Sequence, residues 1–162
     1  MKVLYISNSK VPSVEANSLQ VMKMCDSFSD HVHDVMLLAK KGSLSKDVFK
    51  YYNLKNVFDI RLIPSNILFI NMIFMAYHLI KFNPTFVYCR NIYGCFIAVK
   101  LGFPACLEIH DDRWRRGRIS PYIYKSINRN KNLKNIISIT SNLLKDYKLD
   151  WPNSSCKSYL VL

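Results

Sequence analysis

Short apolar runs recur at regular intervals along the whole chain, and this recurrence constrains the fold more than any single motif. The runs are continuous instead of alternating, as expected for strands covered on both faces in a parallel sheet. Segments with helical character fill the gaps, and alternating β and α units predict right-handed crossovers. We therefore predict an α/β fold with a doubly wound, mainly parallel sheet in three α/β/α layers. The predicted strands are Val3–Ile6, Val35–Ala39, Ile60–Ile63, Phe86–Cys89, Ala105–Ile109, Ile136–Ile139 and Tyr159–Leu162.

Capping residues and glycine stops mark the boundaries of the predicted helices. In the first helix, apolar residues follow the i, i+3, i+4, i+7 spacing from Val21 to Phe28. The predicted caps and stops are Asn17 or Ser18 for the first helix, Gly102 after the helix Ile92–Leu101, Ser120 before Pro121, and Thr140–Asn142 for the last helix.

The chain is strongly basic. Its 162 residues suffice for one domain with a full core, and half of them are hydrophobic, which argues against a disordered chain. The formal net charge of +12 calls for an anionic partner, which could be nucleic acid, a membrane surface or a phosphorylated ligand. The alternative is a generally basic composition, because many of the lysines are scattered singly.

The cysteines indicate a reducing compartment. The chain has five of them, an odd number, and none forms a C-x-x-C pair. This pattern disfavours a zinc site or a disulfide framework, and we expect no metal.

The N-terminus has the pattern of a first strand and not of a secretory signal, so we predict a cytoplasmic protein.

One stretch, Ile67–Ile80, resembles a membrane segment but covers only 14 residues and includes Asn71 and His78. A transmembrane helix needs about 20 apolar residues. We interpret the stretch first as a buried helix. The alternative is a helix that lies half-sunk in a membrane interface, since its apolar residues occupy nearly every face.

In an open α/β sheet, ligands bind at the carboxyl ends of the strands. No glycine lies between residues 1 and 41, so the G-x-G-x-x-G turn of NAD and FAD sites is missing, as is a P-loop, and we expect no cofactor. The polar candidates for substrate binding at the strand ends are Ser9, Asn17, Arg90, Asp111, Thr140 and Ser141.

His110 is the candidate catalytic residue, because it follows the fifth predicted strand directly. Side chains alternate along a strand, so Glu108 and His110 point to the same face, where a carboxylate can orient the imidazole. The alternatives are a structural histidine and a buried structural acid.

Four arginines and a tryptophan follow His110 closely. Arginine forks bind phosphate in a bidentate manner, and tryptophan suits stacking or a membrane interface. A solvated loop is the alternative. If the run binds anions, lipid phosphate or an anionic membrane is favoured over nucleic acid, because no nucleic-acid-binding motif accompanies it. The residues are Arg113, Trp114, Arg115, Arg116 and Arg118.

The order and spacing of several segments resemble the N-terminal Rossmann-like domain of GT-B glycosyltransferases, specifically the family-4 retaining enzymes. The resemblance covers essentially the whole chain. One difference is that the glycine-rich turn that many relatives have after the first strand is replaced by Ala16-Asn17-Ser18. The segments that carry it are Lys2–Ser7, Ala16–Met24, Val35–Lys40, Tyr88–Arg90, Lys100–Pro104, Glu108–Asp111 and Ile136–Thr140.

The resemblance implies a cleft between an acceptor-side domain, formed by residues 1–162, and a C-terminal domain that binds the nucleotide-sugar. It would place His110 near the transferred sugar and the donor phosphates, with Ser9 to Asn17 lining the cleft. Arg90 and Thr140–Asn142 would be further cleft residues. It also implies a saccharide or lipid-linked acceptor and an approach to anionic membranes, without an essential metal.

The donor half of the family, with its cationic pair and E-x7-E element, has no counterpart in these 162 residues. We therefore expect an acceptor-side glycosyltransferase domain that is inactive alone, acting in cell-surface polysaccharide or lipid glycosylation. It would be a natural truncation, an excised domain or a subunit of a split enzyme. The alternative function is a non-catalytic peripheral membrane or protein-interaction module on the same scaffold.

Overall fold

A computed structural model describes residues 1–31, 34–43, 47–152, 154 and 156–160. Strands and helices alternate along this part of the chain, and the strand pairings are parallel. The strands are β1 (Lys2–Val11), β2 (Asp34–Lys41), β3 (Asp59–Ile63), β4 (Phe86–Cys89), β5 (Ala105–Ile109), β6 (Leu133–Ser138) and β7 (Lys157–Leu160). The helices are α1 (Ala16–His31), α2 (Val48–Tyr51), α3 (Leu68–Phe82), α4 (Ile92–Lys100), α5 (Ser120–Asn128) and α6 (Ser141–Asp150), with a 3-10 turn at Arg113–Arg115.

The seven parallel strands with flanking helices confirm the predicted α/β, Rossmann-like fold. The chain divides into two compact units, residues 1–86 and residues 87–162. The first unit has the strand order β3-β2-β1, and its core is formed by β1 and β2 packed against α1. Tyr5, Leu37 and Val21 are fully buried there.

The second unit has the strand order β4-β5-β6-β7. Every residue of β5 is buried, which explains its continuous apolar sequence apart from Glu108. α4 and α5 pack together, and Ile127 of α5 is fully buried. β7 is more exposed, and the predicted strand Tyr159–Leu162 is confirmed as far as Leu160, with residues 161 and 162 outside the described part.

Several predicted boundaries differ from the structure because polar residues were interpreted as loops or caps. β1 continues to Val11 after a register shift between Ile6 and Lys10, so it includes residues that were predicted to follow it. α1 begins at Ala16, which puts Asn17 and Ser18 in its first turn and not at the cap. In α5 the N-cap is Ile119, and Ser120 is already helical. The predicted cap of α6 is confirmed, and Gly102 has the expected positive φ of 92°.

Only one face of α3 is buried. Its inward face includes Met75, His78 and Leu79, whereas large apolar residues on the other face are exposed. The first interpretation of Ile67–Ile80, a buried helix, is therefore wrong for half of the helix surface. Across the described residues, no helix combines the length and the hydropathy needed to cross a bilayer.

Candidate active site

The second unit brings side chains from two neighbouring strands together at their carboxyl ends. Cys89 of β4 pairs with Leu107 of β5. Continuing this register by one residue puts Arg90 opposite Glu108. Since side chains alternate along a strand, residues two apart on each strand share a face. The register thus predicts one cluster, and the structure contains it: Tyr88, Arg90, Glu108 and His110, called here the Glu108 cluster.

The carboxylate of Glu108 is the centre of this cluster. Tyr88 donates a hydrogen bond from its hydroxyl to Oε2 at 2.7 Å, and His110 Nε2 lies 2.8 Å from Oε1. The guanidinium of Arg90 adds a positive charge, with its Nε 3.6 Å from Oε1. Only 3% of the Glu108 side chain is exposed, so these contacts replace the water that a carboxylate needs.

His110 Nε2 has two close neighbours, since Arg90 Nε also lies 2.9 Å from it. One nitrogen cannot both donate to the carboxylate and accept from the guanidinium. We assign the proton to Nε2, because a lone pair there would face the buried carboxylate at 2.8 Å. The other ring nitrogen, Nδ1, lies 3.4 Å from Arg90 Nη2.

These contacts keep Glu108 ionised. Burial alone raises the pKa of this carboxyl, but the hydrogen bonds from His110 and Tyr88 and the charge of Arg90 outweigh it, so the pKa falls below its ordinary value of 4.5. Glu108 is therefore an anion at neutral pH. It orients the imidazole, which makes it a positioning residue.

The imidazole of His110 is the accessible part of the cluster, with 29% of its side chain exposed. It can therefore meet a ligand while Glu108 holds its other side. An oriented imidazole beside a guanidinium can hydrogen-bond a hydroxyl or a phosphate oxygen, or accept a proton. Tyr88 was not predicted as a site residue, although its position two residues before Arg90 was a usable signal.

The remaining candidates of the second unit lie outside the Glu108 cluster. Asp111 accepts from the backbone N–H of Arg113 and forms an ion pair with its side chain at 2.9 Å. Thr140 caps α6 by accepting from the N–H of Leu143, and Ser141 is exposed at the start of that helix. Among the contacts of the described residues, none joins Thr140 or Ser141 to His110.

In the first unit, Ser9 is buried inside β1 and accepts a hydrogen bond from Ser7 Oγ at 2.9 Å. Asn17 is exposed on α1, and its Oδ1 accepts from Ser18 Oγ. Ser9 therefore has a structural partner, whereas the Asn17 side chain is open to solvent. The structure holds them on different elements, a strand and a helix.

The run of arginines is largely paired within the second unit. Trp114 is only 3% exposed, and its Nε1–H donates to Asp150 at 2.6 Å. It packs edge-on against Tyr124 and Tyr147, which corrects the prediction that Trp114 contacts a membrane or an anion. The ion pairs of the run are Arg113 with Asp111, Arg115 with Asp146 and Asp150, and Arg116 with Asp112.

Four of the five cysteines are buried thiols. Burial raises the pKa of Cys25, Cys89 and Cys106, which makes these thiols poor nucleophiles. Among the described residues, no group of three or more histidine, cysteine or acidic side chains is placed to hold a metal ion.

No protein-family model matches this chain, and no curated protein sequence does. Solved structures are similar to it in fold. UDP-GlcNAc 2-epimerase from Methanocaldococcus jannaschii has a TM-score of 0.65 at 13% identity, covering 97% of this chain and 44% of its own. Anabaena HepE, solved with UDP and glucose, has a TM-score of 0.68 at 9% identity, covering 98% and 43%.

Sucrose-phosphate synthase from Thermosynechococcus elongatus has a TM-score of 0.66 at 14% identity, covering 99% of this chain and 47% of its own. The chain thus spans less than half the length of these proteins. At such identities the likeness concerns the fold. The chain shares the Rossmann-like α/β fold found in GT-B glycosyltransferases and UDP-GlcNAc 2-epimerases.

Proposed function

We propose that this chain is the acceptor-side domain of a family-4 retaining glycosyltransferase. It acts on a cell-surface polysaccharide or a lipid-linked acceptor, at the cytoplasmic face of the membrane. The observation that carries the proposal is the imidazole of His110, oriented by the buried Glu108 and still accessible to a ligand. The fold supports nucleotide-sugars as the substrate class, because similar structures include HepE with UDP and glucose and sucrose-phosphate synthase.

In this proposal His110 is the catalytic residue and contacts the transferred sugar, while Arg90 supplies positive charge for the donor phosphates. The acceptor oxygen bonds to the anomeric carbon, the bond to the nucleotide diphosphate breaks, and the proton of the acceptor hydroxyl passes to an oxygen of the departing diphosphate. Ser9 and Asn17 serve the acceptor side. Thr140 and Ser141 add the free N–H groups of a helix start, which favour anions.

The nucleotide-sugar itself requires a donor-binding half, supplied by a C-terminal domain or a partner subunit. The chain alone is then inactive. The test is to produce it together with the donor-binding half encoded in the same genome and to measure UDP release from a panel of UDP-sugars. His110→Ala should lower kcat by about a hundredfold or more, the range of a lost acid–base or electrostatic contact.

Asp112→Asn is the matched control, since it alters a partly exposed ion pair with Arg116 two residues beyond His110. Turnover that is unchanged in His110→Ala, or no turnover with any donor, would overturn the proposal. A second measurement uses the chain together with the donor-binding half: the imidazole NMR signals of His110 should shift on addition of UDP-glucose or UDP-GlcNAc.

The second candidate function is a non-catalytic peripheral membrane or protein-interaction module. A specific observation favours it: the exposed face of α3 is an apolar stripe of Phe69, Ile73, Tyr77 and Ile80. The sequence has no acidic residue between Asp59 and Glu108, so nothing nearby on the chain opposes an anionic lipid surface.

Co-sedimentation with anionic vesicles tests this candidate. The double variant Phe69→Gln and Ile73→Gln should lose vesicle binding, whereas Val57→Gln with Leu149→Gln, also two exposed apolar residues, should keep it. Vesicle binding without any response to nucleotide-sugars would favour the second candidate. Both responses together would place a glycosyltransferase domain at the membrane.

A further inference from the structure

A basic pocket in the second unit has no role in the proposed function. It has a volume of about 380 Å³ and lies between the C-terminal end of α4 and one face of α5. We propose that it binds the phosphate group of a small phosphorylated ligand. The lining residues, called here the Lys125 pocket, are Lys100, Tyr122, Lys125, Ser126, Arg129 and Asn130.

The Lys125 pocket lies at the end of the unit where β5 and β6 begin. Lys100 is the last residue of α4, and Arg129 directly follows α5. Asn130 anchors this corner by donating a hydrogen bond from Nδ2 to the carbonyl of Val99 at 3.1 Å. His110 follows the opposite end of β5, whose five residues span about 16 Å. The pocket is thus separate from the Glu108 cluster.

The cations of the pocket are not neutralised by the unit's own acids. Residues 87–162 contain thirteen lysines and arginines and five acidic residues. Glu108 contacts Arg90 and His110, and the four aspartates pair with Arg113, Arg115 and Arg116. Within the described residues, no ion pair joins Lys100, Lys125 or Arg129 to a carboxylate.

The sequence accounts for this excess of positive charge, because it has no acidic residue between Asp112 and Asp146. All of α5 and the turn after it therefore carry positive charge only. Three cations around one cavity repel each other, and a bound anion of high charge relieves that repulsion. A concave site with one sign of charge also concentrates such an anion from solution.

The side chains of the pocket suit phosphate better than carboxylate. Arg129 offers a planar fork for two phosphate oxygens, and Lys100 and Lys125 supply point charges for the rest. Ser126 adds a hydroxyl donor. Tyr122 is 75% exposed beside the cavity, so its ring can pack against the organic part of the ligand. A phosphate ester carries up to two charges, whereas a carboxylate carries one.

The test is an NMR titration of the whole chain with inorganic phosphate and with pyrophosphate, following the backbone amides of Ser126 and Asn130. We expect saturable shifts at these amides, with tighter binding of pyrophosphate. The double variant Lys125→Gln and Arg129→Gln should weaken binding about tenfold or more, because it removes two charged donors. Lys145→Gln with Lys157→Gln removes the same charge outside the pocket and should leave binding within about twofold.

A second experiment, with phosphatidylcholine vesicles that contain phosphatidic acid, distinguishes two sources of phosphate. Vesicle binding that is lost only in the pocket variant identifies a lipid headgroup. Soluble phosphate binding without vesicle binding identifies a free phosphorylated ligand. Equal weakening in both double variants, or shifts that never saturate, would show diffuse charge attraction and overturn the proposal. This test is independent of sugar transfer.

Discussion

The carboxylate of Glu108 should stabilise the second unit through its charge, and Glu108→Gln isolates that contribution. The amide keeps the shape and can still hydrogen-bond His110 and Tyr88, which lie 2.8 and 2.7 Å from the carboxylate oxygens. Hydrogen bonds to a charged group are worth about 1 kcal/mol more than neutral ones. With two such bonds, we expect a loss of about 2 kcal/mol, which lowers Tm by roughly 4–8 °C.

The loss should depend on pH. The pKa of Glu108 lies below its ordinary value of 4.5, since the hydrogen bonds and Arg90 outweigh the opposing effect of burial. The folded state therefore binds fewer protons than the unfolded state in this range. The stabilisation is complete above about pH 4.5 and disappears as the pH falls through the lowered pKa of the folded protein.

The assay is urea unfolding of both proteins from neutral pH down to about pH 3. The difference in unfolding free energy should be largest at neutral pH and should shrink in acid, where protonated Glu108 resembles glutamine. Other carboxyls titrate equally in both proteins and cancel. Asp112→Asn, at a partly exposed ion pair, should lower the free energy of unfolding by less than about 1 kcal/mol. A pH-independent difference would refute the reasoning.

Three further changes test the packing. Trp114→Phe removes the indole N–H that donates to Asp150 and should cost about 1–3 kcal/mol in thermal unfolding; an unchanged Tm would contradict a buried structural role. Gly42→Ala would put a Cβ 1.8 Å from the carbonyl oxygen of Pro12, so the backbone must shift, and we expect a loss of about 1–3 kcal/mol in urea. Asp26→Asn weakens the hydrogen bonds that Asp26 accepts from the loop before β3, and it should lower the free energy of unfolding by about 1–2 kcal/mol. Equal urea midpoints for the two proteins would disprove this.

The strands with buried, uninterrupted apolar sequences were predicted most accurately. β4 and β5 have the predicted bounds, since Asn91 caps the helix after β4 and Pro104 precedes β5. β1 was predicted too short. Its polar second half pairs with β2 after a register shift, and pairing with a distant strand leaves no periodic signal in the sequence.

The Glu108 cluster was half predictable. The i, i+2 spacing placed Glu108 and His110 on one face of a strand. Arg90 and Tyr88 joined them only through the register between β4 and β5. The sequence holds no local information on that register, because it depends on how two strands 20 residues apart pair.

Trp114 was predicted incorrectly, because the arginines next to it in the sequence indicated a surface residue. Its partners Tyr124, Tyr147 and Asp150 are distant in sequence, and they provide a buried site with an acceptor for the indole N–H. For α3 the sequence showed apolar residues on nearly every face. Only one face of α3 packs inward, and this packing decides which of its apolar residues are exposed.

The sequence by itself determined the α/β class, the order of the strands and helices along the chain, and the position of His110 after a buried strand. These follow from hydrophobic periodicity and turn chemistry, which act over a few residues. Tertiary structure alone decided which side chains surround Glu108, which arginines are paired and which lysines remain around the Lys125 pocket. Electrostatic partners and burial depend on contacts between distant segments, and only the folded chain brings those segments together.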